Sequence, residues 1–139
     1  MLTYILIVDD NPDAREILER IAHSLGYETR TACNGVEALE QINKELPALI
    51  LLDLMMPEMG GFAVLSHLSK FPDLRQVPVI VFSACDASQL SGALRQRNVA
   101  GVLKKGQCTI SEMVTTIKGV LEHSTAEPSR QHAVNQIAP

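Results

Sequence analysis

Short, wholly apolar runs alternate along this chain with longer stretches in which apolar residues recur at helical spacing. The first run, Tyr4-Ile5-Leu6-Ile7-Val8, is apolar throughout and rich in β-formers, the pattern of a strand buried on both faces. Asn11-Pro12 then supplies a helix cap followed by proline at the first helical position. Behind it, Ala14, Ile17, Leu18, Ile21, Ala22 and Leu25 recur at i, i+3, i+4 and define one buried helix face, closed by Gly26. Tyr27 to Ala32 is a second, more polar strand, placed nearer a sheet edge. Asn34-Gly35 turns the chain into a helix carrying Val36, Leu39, Ile42 and Leu46, and Pro47 follows it. Ala48 to Leu52 is again apolar throughout and runs straight into Asp53.

A loop with Pro57, Gly60 and Gly61 precedes a short helix using Phe62, Leu65 and Leu68. A fourth strand spans Val77 to Phe82 and ends at Ser83, a weaker helix follows around Leu90, Ala93 and Leu94, and Gly101 to Leu103 makes a short fifth strand. The last helix carries Ile110, Met113, Val114, Ile117, Val120 and Leu121 as one stripe. After Glu122 the periodicity stops. Residues 1–122 are therefore expected to form one domain and residues 123–139 a flexible tail. Strand and helix in alternation imply an α/β fold, a doubly wound parallel sheet with helices on both faces. In such sheets ligands bind beyond the carboxyl ends of the strands.

The residues just past those ends are Asp9-Asp10, Asp53, Ser83 and Lys104-Lys105. Carboxylates crowded on one rim repel unless a cation sits among them, and an all-oxygen site with few protein ligands suits Mg²⁺. A lysine and a hydroxyl beside it are natural partners of a phosphoryl group. Taken singly, each has a plainer explanation: Asp9-Asp10 as acids at a helix N-terminus, Ser83 as a strand-end hydroxyl, the lysines as a solvated charge run. Their convergence favours the metal and phosphoryl chemistry.

Composition narrows the function classes. At 139 residues the chain suits a single compact domain, and a hydrophobic fraction of 46% is enough for a core. A net charge of −4 and an aromatic content of 4% argue against direct contact with nucleic acid. Cys33, Cys85 and Cys108 are scattered, fitting a reducing cytoplasm better than a disulfide framework. No basic segment followed by an apolar stretch opens the chain and no apolar run approaches a membrane span, so a soluble cytoplasmic protein is expected.

Val8-Asp9-Asp10, Leu52-Asp53-Leu54-Met55-Met56-Pro57-Glu58-Met59-Gly60-Gly61, Phe82-Ser83-Ala84 and Leu103-Lys104-Lys105 occur in an order and spacing that resembles the response-regulator receiver domain of two-component signalling. The resemblance covers residues 4 to about 122. It implies a flavodoxin-like (βα)5 fold with strand order 2-1-3-4-5. It implies that Asp53 is phosphorylated by a histidine kinase or a phosphotransfer protein. Asp10 and Asp53 would ligate Mg²⁺ directly, with the backbone carbonyl of Met55 as a third donor and Asp9 acting through a metal-bound water. Ser83 and Lys105 would contact the phosphoryl group. A monomer or weak dimer acting on an unknown downstream protein, without its own output domain, completes the expectation.

Two positions depart from the family: Val102 stands where an aromatic ring is common, and Gly106 where proline usually follows the lysine. These departures leave the switching element and the aim of Lys105 open. Met55 and Cys85 occupy the places that commonly border the path of an attacking water, and neither is a strong hydrogen-bond acceptor, so a long-lived phosphoryl group is expected. A binding-only relative of the fold is disfavoured because every acceptor residue is present. A phosphoaspartyl hydrolase generally needs a second aspartate two residues after the nucleophile, where Met55 stands, and a nucleotide or flavin carrier needs a Gly-rich loop after the first strand.

Overall fold

The computed structural model describes residues 3–137, with side chains described as far as His123. Among the described residues, five strands and six helices follow one another as β1 (Tyr4–Val8), α1 (Pro12–Ser24), β2 (Glu28–Ala32), α2 (Gly35–Lys44), β3 (Leu49–Leu52), α3 (Gly61–Ser69), α4 (Pro72–Arg75), β4 (Val79–Ser83), α5 (Ala87–Gln96), β5 (Gly101–Lys104) and α6 (Ile110–Ile137). All paired strands are parallel, in the order β2-β1-β3-β4-β5 of the flavodoxin-like fold.

The alternation of side chains along each strand divides the core into two layers. Leu6, Val8, Ile50, Leu52, Val79 and Val81 face α2, α3, α4 and α5. Ile5, Ile7, Leu49, Leu51, Ile80 and Phe82 face α1 and α6. β1, β3 and β4 are therefore buried at every position, as their apolar runs require, while the edge strands β2 and β5 are largely exposed.

Apart from α4, the helices lie where the apolar period placed them, but all of these except α3 bury a narrower stripe than expected. Ile17, Val36, Leu94 and Ile110 are exposed, Leu46 lies beyond the end of α2 at Lys44 and is exposed as well, and Ala38 and Val64 are buried in addition. A helix lying on a sheet offers it a stripe of about 100°, so residues flanking that stripe or overhanging the sheet end reach solvent. The helix α4 lacks a visible period because it has only four residues. Its carbonyls are tied instead by the Arg97 guanidinium, which donates to Leu74 O at 3.0 Å, Arg75 O at 2.8 Å and also Val77 O.

Gly61 opens α3 rather than closing the preceding loop. A Cβ there would overlap the Asp53 carbonyl oxygen and stand 2.7 Å from Leu54 Cα, so only glycine lets α3 begin against the end of β3. The backbone bounds of α6 extend to Ile137. Of the flexible tail expected over 123–139, the side chains beyond His123 and residues 138–139 lie outside what is described.

Candidate functional site

Parallel hydrogen bonding carries on one step past the strands and fixes the backbone of the site. The Asp9 N–H donates to Ala32 O at 3.0 Å, the Asp53 N–H to Val8 O at 2.9 Å, and the Lys105 N–H to Ser83 O at 3.0 Å. Residues 96 positions apart in sequence are thereby presented on one rim by the sheet itself.

The side chains converge on Asp53. Its Oδ1 accepts from the Ser83 hydroxyl at 2.7 Å and from the Met55 N–H at 3.0 Å, and its Oδ2 accepts from Lys105 Nζ at 3.0 Å. Asp9 lies beside it, with Oδ1 accepting the Asn11 N–H at 2.9 Å and Oδ2 at 2.7 Å from Lys105 Nζ. Asp9, Asp53 and Ser83 are 1%, 4% and 3% exposed, while Asp10 stands open to solvent. Each of Asp9, Asp10 and Asp53 offers a carboxylate oxygen within 4.8 Å of the others.

Burial pushes the Asp9 carboxyl above its ordinary range, with the Asp53 charge adding to it, and Lys105 and the Asn11 amide only partly reverse this. Burial alone would lower Lys105, but its hydrogen bonds to Asp9 and Asp53 and their two charges outweigh that and raise it. One ammonium therefore holds two acids that repel each other. The 2.7 Å separation makes Asp9 and Lys105 an ion pair, and beyond Lys105 the buried Asp9 Oδ2 accepts no hydrogen bond among the described residues. Three hard oxygen donors this close together, two of them sharing one ammonium, fit a small divalent cation such as Mg²⁺, which takes few protein ligands and keeps its waters.

The receiver-domain family of response regulators matches residues 5–118. This chain belongs to that family. Among relatives of the receiver, the polar-differentiation response regulator DivK of Brucella anthropi is 31% identical over 117 residues, covering 84% of this chain and 94% of DivK. The ycf27 protein of Pyropia yezoensis is 46% identical over 80 residues, 58% of this chain but 32% of that protein. The chain thus spans about a third of the length of the ycf27 relatives it matches. A solved signal receiver domain of a signal transduction histidine kinase from Syntrophus aciditrophicus superposes with a TM-score of 0.77 at 33% identity, covering 86% of this chain and 90% of that one.

The geometry bears on the residues that the sequence left open. Lys104 is exposed, whereas Lys105, the lysine that the family spacing favours, reaches both acids. Its ammonium also lies 5.5 Å from the Phe82 ring centroid, inside the range of a cation–π contact. Gly106 takes a φ of +79°, which proline is unable to adopt, so the turn after Lys105 is built on glycine instead. Val102 is 42% exposed on β5.

The expected pair bordering Asp53 is only half present. Met55 is 46% exposed, but Cys85 is buried in the core beneath α3 and α5 and does not line an open approach. The neighbour that sequence reasoning missed is Gln89, whose amide caps α5 through the Asp86 N–H and donates to Met55 Sδ at 3.6 Å. The capping spacing of Asp86 and Gln89 was the available signal. Arg15, which donates to Asp9 O at 2.7 Å, was also missed.

Proposed function

We propose that Asp53 accepts a phosphoryl group from the phosphohistidine of a sensor histidine kinase or phosphotransfer protein, and that this changes a protein-interaction surface. The observation carrying this reading is the Asp53 carboxylate itself, buried, with one oxygen on Ser83 and the other on Lys105. A carboxylate is a weak nucleophile, so the transfer depends on positioning and on neutralising the phosphoryl charge. The Met55 N–H on Oδ1 fixes the rotation of the carboxylate. As the bond from an Asp53 oxygen to phosphorus forms, the phosphorus–nitrogen bond of the donor breaks, and its electron pair returns to the imidazole, which regains a proton. Lys105 then pairs with a phosphoryl oxygen, and the Ser83 hydroxyl turns from Asp53 to another.

Asp9, Asp10 and Asp53, with the backbone carbonyl of Met55, would hold Mg²⁺ here. The bound cation supplies the remaining positive charge for the transferring group. The protein acts as a switch that catalyses only its own phosphorylation and dephosphorylation, working in the cytoplasm as a monomer or weak dimer on a downstream protein rather than on nucleic acid.

The test is incubation with a small-molecule phosphodonor and Mg²⁺, read by intact mass. The wild type should gain one phosphoryl group, and Asp53→Asn and the wild type in chelator should gain none. Equal labelling of wild type and Asp53→Asn would overturn the assignment.

A further inference from the structure

Arg15 stands where a cation is doubly unfavourable. It lies in the first turns of α1, near the positive end of the helix dipole, and beside the rim where a divalent cation would bind. Its guanidinium is nonetheless held there, donating at 2.7 Å to the Asp9 carbonyl oxygen. That oxygen belongs to the peptide joining Asp9 to Asp10, so the contact sets the plane from which both carboxylates project. The same short segment is fixed at two further points, by the Asp9 N–H on Ala32 O at 3.0 Å and by the Asn11 N–H on Asp9 Oδ1 at 2.9 Å. With Oδ1 on the Asn11 N–H, Oδ2 faces the site, paired with Lys105 Nζ at 2.7 Å.

We propose that Arg15 is a positioning residue for the cation site: its hydrogen bond to the Asp9–Asp10 peptide pre-sets both acids, and this outweighs the repulsion its charge exerts on the bound cation. The inference rests on the functional reading above and assigns it a residue outside the carboxylate, hydroxyl and lysine set. Charge and geometry act here with opposite signs, which makes them separable. Removal of the guanidinium strengthens cation binding if its charge is what matters and weakens it if its hydrogen bond is what matters.

The experiment is calorimetric titration of MgCl2 into the metal-free full chain, for wild type, Arg15→Gln and Arg15→Lys. Urea unfolding of each variant without metal establishes that it is folded. Partners that orient metal ligands from outside contribute tenfold or more to affinity, so Arg15→Gln should bind Mg²⁺ about tenfold more weakly than wild type. Arg15→Lys keeps the charge and part of the donor capacity, and should fall between the two. The order Arg15→Gln tightest, Arg15→Lys next and wild type weakest would overturn the proposal, as would equal affinities. Should Arg15→Gln fail to fold, Arg15→Lys decides alone: binding weaker than wild type at unchanged charge supports positioning, and equal binding overturns it. A wild type that binds no Mg²⁺ sinks the functional reading itself, whereas a wild type that binds, with unaffected variants, removes only the role of Arg15.

Discussion

At the scale of single residues, the site is a set of charges kept together against their own repulsion. Asp9 shows this most clearly. It is buried against Asp53, and its carboxyl is pushed upward by burial, so the folded protein holds a proton there more readily than the unfolded chain does. Between the ordinary carboxylate value of 3.8 and the raised folded value, the folded state is the more protonated. Stability therefore rises as pH falls through the folded pKa, and is lower above it, where Asp9 is charged. Asp9→Asn should then stabilise the metal-free protein at neutral pH, on the order of 1 kcal/mol, the scale of relieving a poorly satisfied buried group. The same variant should lose most of its stabilisation by Mg²⁺. Urea denaturation with and without the cation reads both effects, and a metal-free Asp9→Asn less stable than wild type would contradict the first.

At the scale of elements, loops carry the chemistry and helix starts hold the loops. α3 begins against Asp53 because Gly61 leaves room for the Asp53 carbonyl, and α5 begins with a capping box whose Gln89 reaches across to Met55. The junction of β3 with α5 is thus roofed by a thioether latched to an amide. Water attacking phosphorylated Asp53 would meet Met55, which is large and a poor acceptor. Met55→Asn should speed loss of the phosphoryl group by about tenfold or more, because an amide both clears and orients that approach. Cys85→Glu is not the partner change to make, since a charge at a buried core position would cost stability first. After labelling with a small-molecule donor and removing it, decay in Mg²⁺ without a phosphatase measures the rate. Decay of Met55→Asn at the wild-type rate would mean that Met55 does not control the lifetime.

At the scale of the whole molecule, the rim and the far surface are joined by β4, β5 and the helices around them. Ser83 closes β4 and Lys105 follows β5, so on the proposed function movement of both toward a phosphoryl group would act on α5, β5 and the start of α6. Val102 has no ring to swing inward, and Arg97 pins the C-terminal end of α5 to the carbonyls around α4. The N-terminal end of α5 and the loop from Cys85 to Leu90, tied across the site by the exposed Gln89–Met55 contact, are then the parts expected to shift. Hydrogen exchange with and without a phosphoryl mimic should show its largest changes there, with smaller ones in α5, β5 and α6. Changes confined to α1 and α2 would refute this path. Among the described residues, no helix is long and apolar enough to cross a membrane.

The order of the elements, the parallel sheet and the acids, hydroxyl and lysine at its rim were legible in the chain, because burial on both faces writes itself as unbroken apolar runs ending at polar residues. The apolar pattern alone did not separate Lys104 from Lys105, although the family spacing favoured Lys105. The pairing of Ser83 with Lys104 in the β4–β5 ladder carries the backbone one step further, and there Lys105 meets both acids. The stripe of each helix in contact with the sheet, the four-residue α4, the burial of Cys85 and the reach of Arg15 and Gln89 depend on how helices lie across the sheet. Those are long-range packing relations with no local periodicity, and only the tertiary structure decided them.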